Sequence, residues 1–161
     1  MKVSEFRDLY LKELQEAHSV ERQLVDALPR MKSAASDPDL KQAIENHLGE
    51  TRKQLERLGS IVKRHDADPS EHEDQSMRSL IAEEEKWAGM LDDGLRDAAL
   101  IASAQRIEHY EIAVYGTLAC WAKQLGQDED LNVLLTILDE EKQADERLTE
   151  LAKREVNPSA R

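Results

Sequence analysis

One cysteine in 161 residues leaves no partner for an internal disulfide. That residue, Cys120, lies among Leu118, Ala119 and Ala122, where a small buried apolar filler is expected. Glycine and proline are scarce, at 6 and 4. The residues that dominate instead (Ala, Leu, Glu, Lys, Arg and Gln) are good helix formers, so the chain reads as all-α. Positive charge is also short: 22 basic residues face 34 acidic ones, a net charge of −12. A nucleic-acid surface needs clustered Lys and Arg, and an anionic membrane needs the same, so neither is expected as a partner. No apolar run is long enough to span a bilayer, and no secretory signal opens the sequence. A cytoplasmic protein of one domain, residues 1–161, is the expectation.

Hydrophobic spacing and punctuation predict five helices, at about 3–35, 38–65, 71–93, 96–125 and 128–156. Ser4 is placed to cap the first, and Pro29 is expected to kink or break it. Ser36-Asp37-Pro38 predicts a turn, with Asp37 capping the second helix and Pro38 in its first turn. Ala67-Asp68-Pro69-Ser70 ends that helix. Residues 71–95 form a connection holding a helix marked by Met77, Leu80, Ile81, Trp87 and Leu91, with Glu83-Glu84-Glu85 as a solvated face. Asp93-Gly94 reads as the next break. Gly126 is expected to terminate the helix before it, and Asp128 to open the last. Asn157-Pro158-Ser159 predicts a stop and a loose tail.

The chain repeats itself. Residues 47–64 align with residues 137–154, an offset of 90, so that Glu56-Arg57-Leu58 lies over Glu146-Arg147-Leu148 and Lys63-Arg64 over Lys153-Arg154. The same offset pairs Glu21 with Glu111, Leu24 with Val114 and Leu28 with Leu118. Two helical hairpins joined by a long crossover, packed as a four-helix bundle, are therefore predicted.

Each long helix carries acid on its apolar stripe. Glu21 sits among Phe6, Tyr10, Leu14, Ala17, Leu24, Leu28 and Met31. His47, Glu50 and Gln54 sit among Leu40, Ala43, Leu58 and Ile61. Glu108 and Glu111 share a face with Ile101, Ala104, Tyr115 and Leu118. Glu141 and Asp145 interrupt Leu131, Leu134, Leu138, Leu148 and Ala152. One such acid alone fits a stripe edge from which it reaches water. Acids at mid-length in all four helices point to a shared need for positive charge, because an ionised carboxylate buried alone costs several kcal/mol or takes up a proton. A pair of hard cations meets that need. The candidate metal ligands are Glu21, His47, Glu50, Glu108, Glu111, Glu141 and Asp145. Helix four leaves an alternative: the repeat pairs Glu50 with Glu140, whereas the stripe selects Glu141. His18 and His109 fall just off the stripes and read as structural groups or neighbours of the ligands. His65 and His72 read as solvent-facing. Tyr110 and Tyr115 stand where they can touch the ligands.

Several segments together resemble one family: Arg96-Asp97-Ala98-Ala99-Leu100-Ile101, Glu108-His109-Tyr110-Glu111-Ile112-Ala113, Tyr115-Gly116-Thr117-Leu118, Glu21-Arg22-Gln23-Leu24, Ala27-Leu28-Pro29, His47-Leu48 with Glu50-Thr51, and Leu138-Asp139-Glu140-Glu141-Lys142 with Asp145. The chain is similar, over nearly its whole length, to the ferritin-like YciE/YciF family of bacterial stress proteins. The resemblance implies a ferritin-like bundle, a dinuclear metal site, a homodimer and a role in stress response. The first functional expectation, read from the acids themselves, is a ferroxidase-type oxidation with two iron ions as cofactor and dioxygen or peroxide as co-substrate. The wider ferritin-like pattern has Glu-x-x-His on two helices. Here helix two carries the inverse order, His47 then Glu50, and Ala144 stands where a histidine is expected. A carboxylate-rich site of this kind leaves room for manganese. The competing expectation is a non-enzymatic bundle, a stress or interaction scaffold with a structural ion or none, in which Trp87, Met90 and Trp121 belong to the core or to a subunit interface.

Overall fold

The computed structural model describes residues 3–161, which form α1 (Phe6–Ala34), α2 (Pro38–Arg64), α3 (Gln75–Met90), α4 (Asp93–Gln124) and α5 (Asp128–Leu151). A π-helical turn, Ala152–Val156, and a last helical turn, Asn157–Ser159, follow. α1 packs most extensively on α2 and α4 on α5, each pair joined by a short turn. Paired residue numbers run in opposite directions between α1 and α2, as in Lys32–Glu45 and Tyr10–His65. They do the same between α2 and α5, as in Glu50–Arg147, Arg57–Glu140 and Arg64–Asp130. The bundle is thus two antiparallel hairpins. α2 ends beside Tyr10, α4 starts beside Ser36, and α3 spans the length between them.

Local chemistry sets the helix ends. Asp37 caps α2 by accepting from the backbone N–H groups of Asp39 and Leu40, with Pro38 in the first turn, as predicted. Gly126, just past α4, has φ +68, the left-handed conformation glycine adopts without strain. Asp74, not singled out in the sequence, caps α3 by accepting from Met77 N at 2.6 Å. Four expectations are corrected. Glu5, not Ser4, is the residue preceding α1, and it makes no side-chain cap. α1 stays helical through Pro29, which is exposed, so the chain is not broken there. The break before α4 falls at Leu91-Asp92, so Asp93 and Gly94 form its first turn. The C-terminal segment is not loose: Arg161 N donates to Gly94 O, and a Cβ on Gly94 would lie 2.5 Å from Arg161 O, so glycine is required there.

The core is divided. One apolar cluster, including Leu24, Leu28, Met31, Ile44, Leu100 and Leu148, fills one end of the bundle. A second, including Leu14, Leu58, Ile61, Leu118, Leu134 and Ile137, fills the other. The buried stripe of α2 (Ile44, His47, Thr51, Gln54, Leu58, Ile61) and that of α5 (Leu134, Ile137, Glu141, Ala144, Leu148, Leu151) coincide under the offset of 90, so the repeat is a repeat of packing. Cys120 is exposed, contrary to expectation, because the inward face of α4 passes through Leu118, Ala119 and Ala122. Phe6 likewise lies at the edge, stacked edge-on against Trp121, and Trp87 and Met90 are exposed. Within the acidic run of α3, Glu83 and Glu85 are exposed but Glu84 is buried, and burial raises its carboxyl above the ordinary value.

Candidate metal centre

Between the two apolar clusters the buried stripes turn polar. Glu21 of α1, His47 and Gln54 of α2, Glu108, Glu111 and Tyr115 of α4, and Glu141 of α5 are all nearly inaccessible to solvent. His47, Glu108, Glu111 and Glu141 each present a ligand atom, and these atoms lie within 4.8 Å of one another. His47 Nε2 is 3.1 Å from Glu108 Oε1. Tyr115 donates its hydroxyl proton to Glu21 Oε1, and Gln54 Nε2 donates to Glu141 Oε1. Beyond these contacts the acids meet chiefly one another, Glu21 with Glu111 and Glu108 with Glu141. Among the described residues, Glu21 Oε2, Glu108 Oε2, both Glu111 oxygens and Glu141 Oε2 are buried with no hydrogen-bond partner outside the acid cluster, and His47 Nδ1 has only Glu50 Oε2, at 3.7 Å.

The electrostatics are as lopsided. Among the described residues no lysine or arginine forms an ion pair with Glu21, Glu108, Glu111 or Glu141; the nearby arginines are taken by Glu140 and Glu50. At 4.8 Å two carboxylate charges repel by roughly 3 kcal/mol in an effective dielectric of about 20. Burial, then the charge of Glu141, holds the Glu21, Glu108 and Glu111 carboxyls well above their ordinary range; for Glu21 the Tyr115 hydrogen bond opposes this in part. Burial and the same carboxylates raise the Tyr115 phenol. Without added positive charge, ionising Glu21, Glu108 and Glu111 together is disfavoured. A native core satisfies its buried polar atoms, and a cluster this deficient is arranged for something that brings charge and accepts lone pairs. Hard cations do both, so this group could hold a metal ion.

The structure brings Glu21, His47, Glu108, Glu111 and Glu141 together and places the other two candidates outside. Glu50 lies one residue round α2 from the buried Thr51, half-buried, 3.1 Å from the Arg147 guanidinium. Its Oε2 is 3.7 Å from His47 Nδ1, and this contact, ahead of Arg147, lowers its carboxyl. Asp145 lies one residue beyond the buried Ala144, bonded to Gln105 and His109. The helix-four alternative resolves to Glu141: Glu140 turns outward and receives Arg57 at 2.7 Å. Here the repeat is informative. Glu50 and Glu140 occupy one repeat position, Arg57 and Arg147 another, and each glutamate pairs with the arginine of the opposite hairpin. His18 is half-buried against Gly59 and His109 is exposed.

A second polar cluster was not visible in the sequence. Asp130, at the start of α5, is 3% exposed and accepts from Tyr10 at 3.0 Å and Arg64 at 2.6 Å, with His65 Nε2 at 2.7 Å. His65 is therefore not solvent-facing. Tyr110, placed beside the ligands by spacing, instead donates to Asp74 at 2.6 Å.

Comparison with known proteins agrees with this architecture. Residues 5–161 match the family model described as a domain of unknown function, DUF892. The protein YciF of Escherichia coli K12 is 39% identical over 99% of this chain and 98% of its own length. The crystal structure of that stress protein superposes with a TM-score of 0.91, covering 96% of this chain and 99% of the other. YcfI of Rhodopseudomonas palustris is 40% identical with a TM-score of 0.87, over 92% and 95% of the two chains. A full-length match to the family model and near 40% identity to relatives of the same fold place this chain in the DUF892 family, alongside the YciF proteins.

Proposed function

We propose that this protein binds a pair of iron or manganese ions between its hairpins and carries out ferroxidase-type oxidation as part of a stress response. The observation that carries the reading is the set of buried, unpartnered ligand atoms on Glu21, His47, Glu108, Glu111 and Glu141. The bound metals would supply the electrons that reduce dioxygen or peroxide. The chain's own residues do the rest. Four carboxylates hold and neutralise the cations. His47 offers a ring nitrogen as a further ligand. Tyr115 and Gln54 each fix one oxygen of Glu21 and Glu141 and leave the other free, so the ligands are oriented before metal arrives. Carboxylates bind metal deprotonated and these three carboxyls are raised, so affinity should rise with pH. The stress role rests on the description of E. coli YciF as a stress protein.

The direct test is ferrous iron titrated into metal-free protein in air. A ferric absorbance that saturates near about two ions per chain is expected for a dinuclear site; no saturable uptake would overturn the reading. One observation favours a second reading, a non-enzymatic bundle with a structural ion: the cluster is closed to solvent, and YcfI is provisionally described as a structural protein. Metal-dependent stabilisation without faster iron oxidation would select that alternative.

A further inference from the structure

Beside the acid cluster lies a cavity of about 30 Å³. Its walls are hydrocarbon from all four long helices: Leu28 and Met31, Ile44, Ala104 and Leu148. His47 and Glu108 reach it from the cluster, and Arg147 borders it on the solvent side, 47% exposed and bonded to Glu50. Ala104 precedes Glu108 by one helical turn, so a larger side chain there would fill the space next to that carboxylate.

The lining selects what it admits. A cavity holds one water from about 10–15 Å³ upward, and that water needs two to four polar partners. This one is larger, and its polar groups lie only at the His47, Glu108 and Arg147 edge, the rest of the wall offering none. A cation would pass the Arg147 guanidinium and then shed hydration against hydrocarbon, which is costly. Hydrogen peroxide would leave donors and acceptors unpaired along the same wall. A small apolar gas incurs none of these costs. We propose that this cavity is the chamber in which dioxygen docks beside His47 and Glu108, a role that rests on reading the cluster as a metal centre.

The test uses the full chain loaded with diamagnetic zinc(II), dissolved under oxygen pressure, with methyl relaxation followed by NMR. The Ala104, Leu28 and Leu148 methyls should relax several-fold faster with oxygen than those of Leu58 and Leu134, which are buried but remote from the cavity. Ala104→Leu should remove the difference; should that variant not fold, Ala43→Leu enters the same space from α2. Equal enhancement at all buried methyls, or a difference that survives both variants, overturns the chamber. Cobalt(II) titration of the metal-free protein separates the two ideas. Oxygen docking without cobalt binding overturns the metal centre, and cobalt binding without oxygen docking overturns the chamber.

Discussion

Asp130 and Glu111 are both carboxylates with almost no exposed surface, yet they sit in opposite kinds of site. Asp130 meets a phenol, a guanidinium and an imidazole within 3.0 Å. Glu111 meets only other acids among the described residues, and no basic group reaches either of its oxygens. Burial alone would raise both carboxyls. At Asp130 the contacts from His65, Arg64 and Tyr10 outweigh burial and lower it; at Glu111 the neighbouring charges add to burial and raise it further. The Asp130 cluster is complete with protein groups and acts as structure. The central cluster has no such basic partners, and its residues could hold a metal ion.

The largest expected effect separates the clusters by metal. Ligand at a thousand times its dissociation constant stabilises by about 4 kcal/mol, roughly 10 °C in melting temperature for a chain of this size. Manganese(II) added to metal-free protein should give such a shift in calorimetry. Glu111→Ala should lose most of it, while Asp130→Asn should keep it. A shift undiminished in Glu111→Ala would place binding elsewhere.

Next comes Asp130→Asn itself, which leaves Arg64 and His65 without their shared carboxylate. It should lower stability by about 2 kcal/mol in urea melts, with or without metal. His47→Gln keeps a polar side chain but removes the imidazole, and should weaken metal binding by roughly 10- to 100-fold in competition titrations. Wild-type affinity would leave an all-carboxylate site.

The smallest effects concern pH in the metal-free protein, and their signs oppose. Asp130 has a lowered folded value, so its contribution is present above the unfolded value near 3.8 and is lost as pH falls through the folded one. Glu21, Glu108 and Glu111 have raised values, so their contribution is full below the unfolded value near 4.5 and is lost as pH rises through the folded ones. Metal-free protein should therefore lose stability from mildly acidic toward alkaline pH, and Glu111→Gln should flatten that slope and stabilise it by about 1 kcal/mol near neutrality. A Glu111→Gln variant less stable than wild type in the absence of metal would mean that the acids are better satisfied than their geometry indicates.

The sequence carries the bundle through its repeat and its punctuation, because Asp37-Pro38 and Gly126 act locally. It carries most of the site because a helix stripe reports burial to within about one residue. That residue is the limit. Glu50 and Asp145 lie on predicted stripes, but α2 and α5 turn Thr51 and Ala144 inward instead, and a rotation of one position moves an acid from the cluster to an arginine. The Asp130 cluster is harder still. Asp128-Glu129-Asp130 reads as an acidic first turn that favours the helix dipole. Its third member is buried only because the C-terminal end of α2 lies over it, a contact with no trace in the spacing.

The division of the site between hairpins has a consequence for how the chain reaches its fold. The α1–α2 hairpin holds Glu21, His47 and Gln54, and the α4–α5 hairpin holds Glu108, Glu111, Tyr115 and Glu141. Contacts within each hairpin are local and should form before docking, which closes the loop through α3. Docking is also the step that forces the acids together, so without metal it must collect protons as it proceeds. Refolding of metal-free protein should accordingly slow as pH rises, and metal added during refolding should hasten the docking phase rather than the formation of the hairpins.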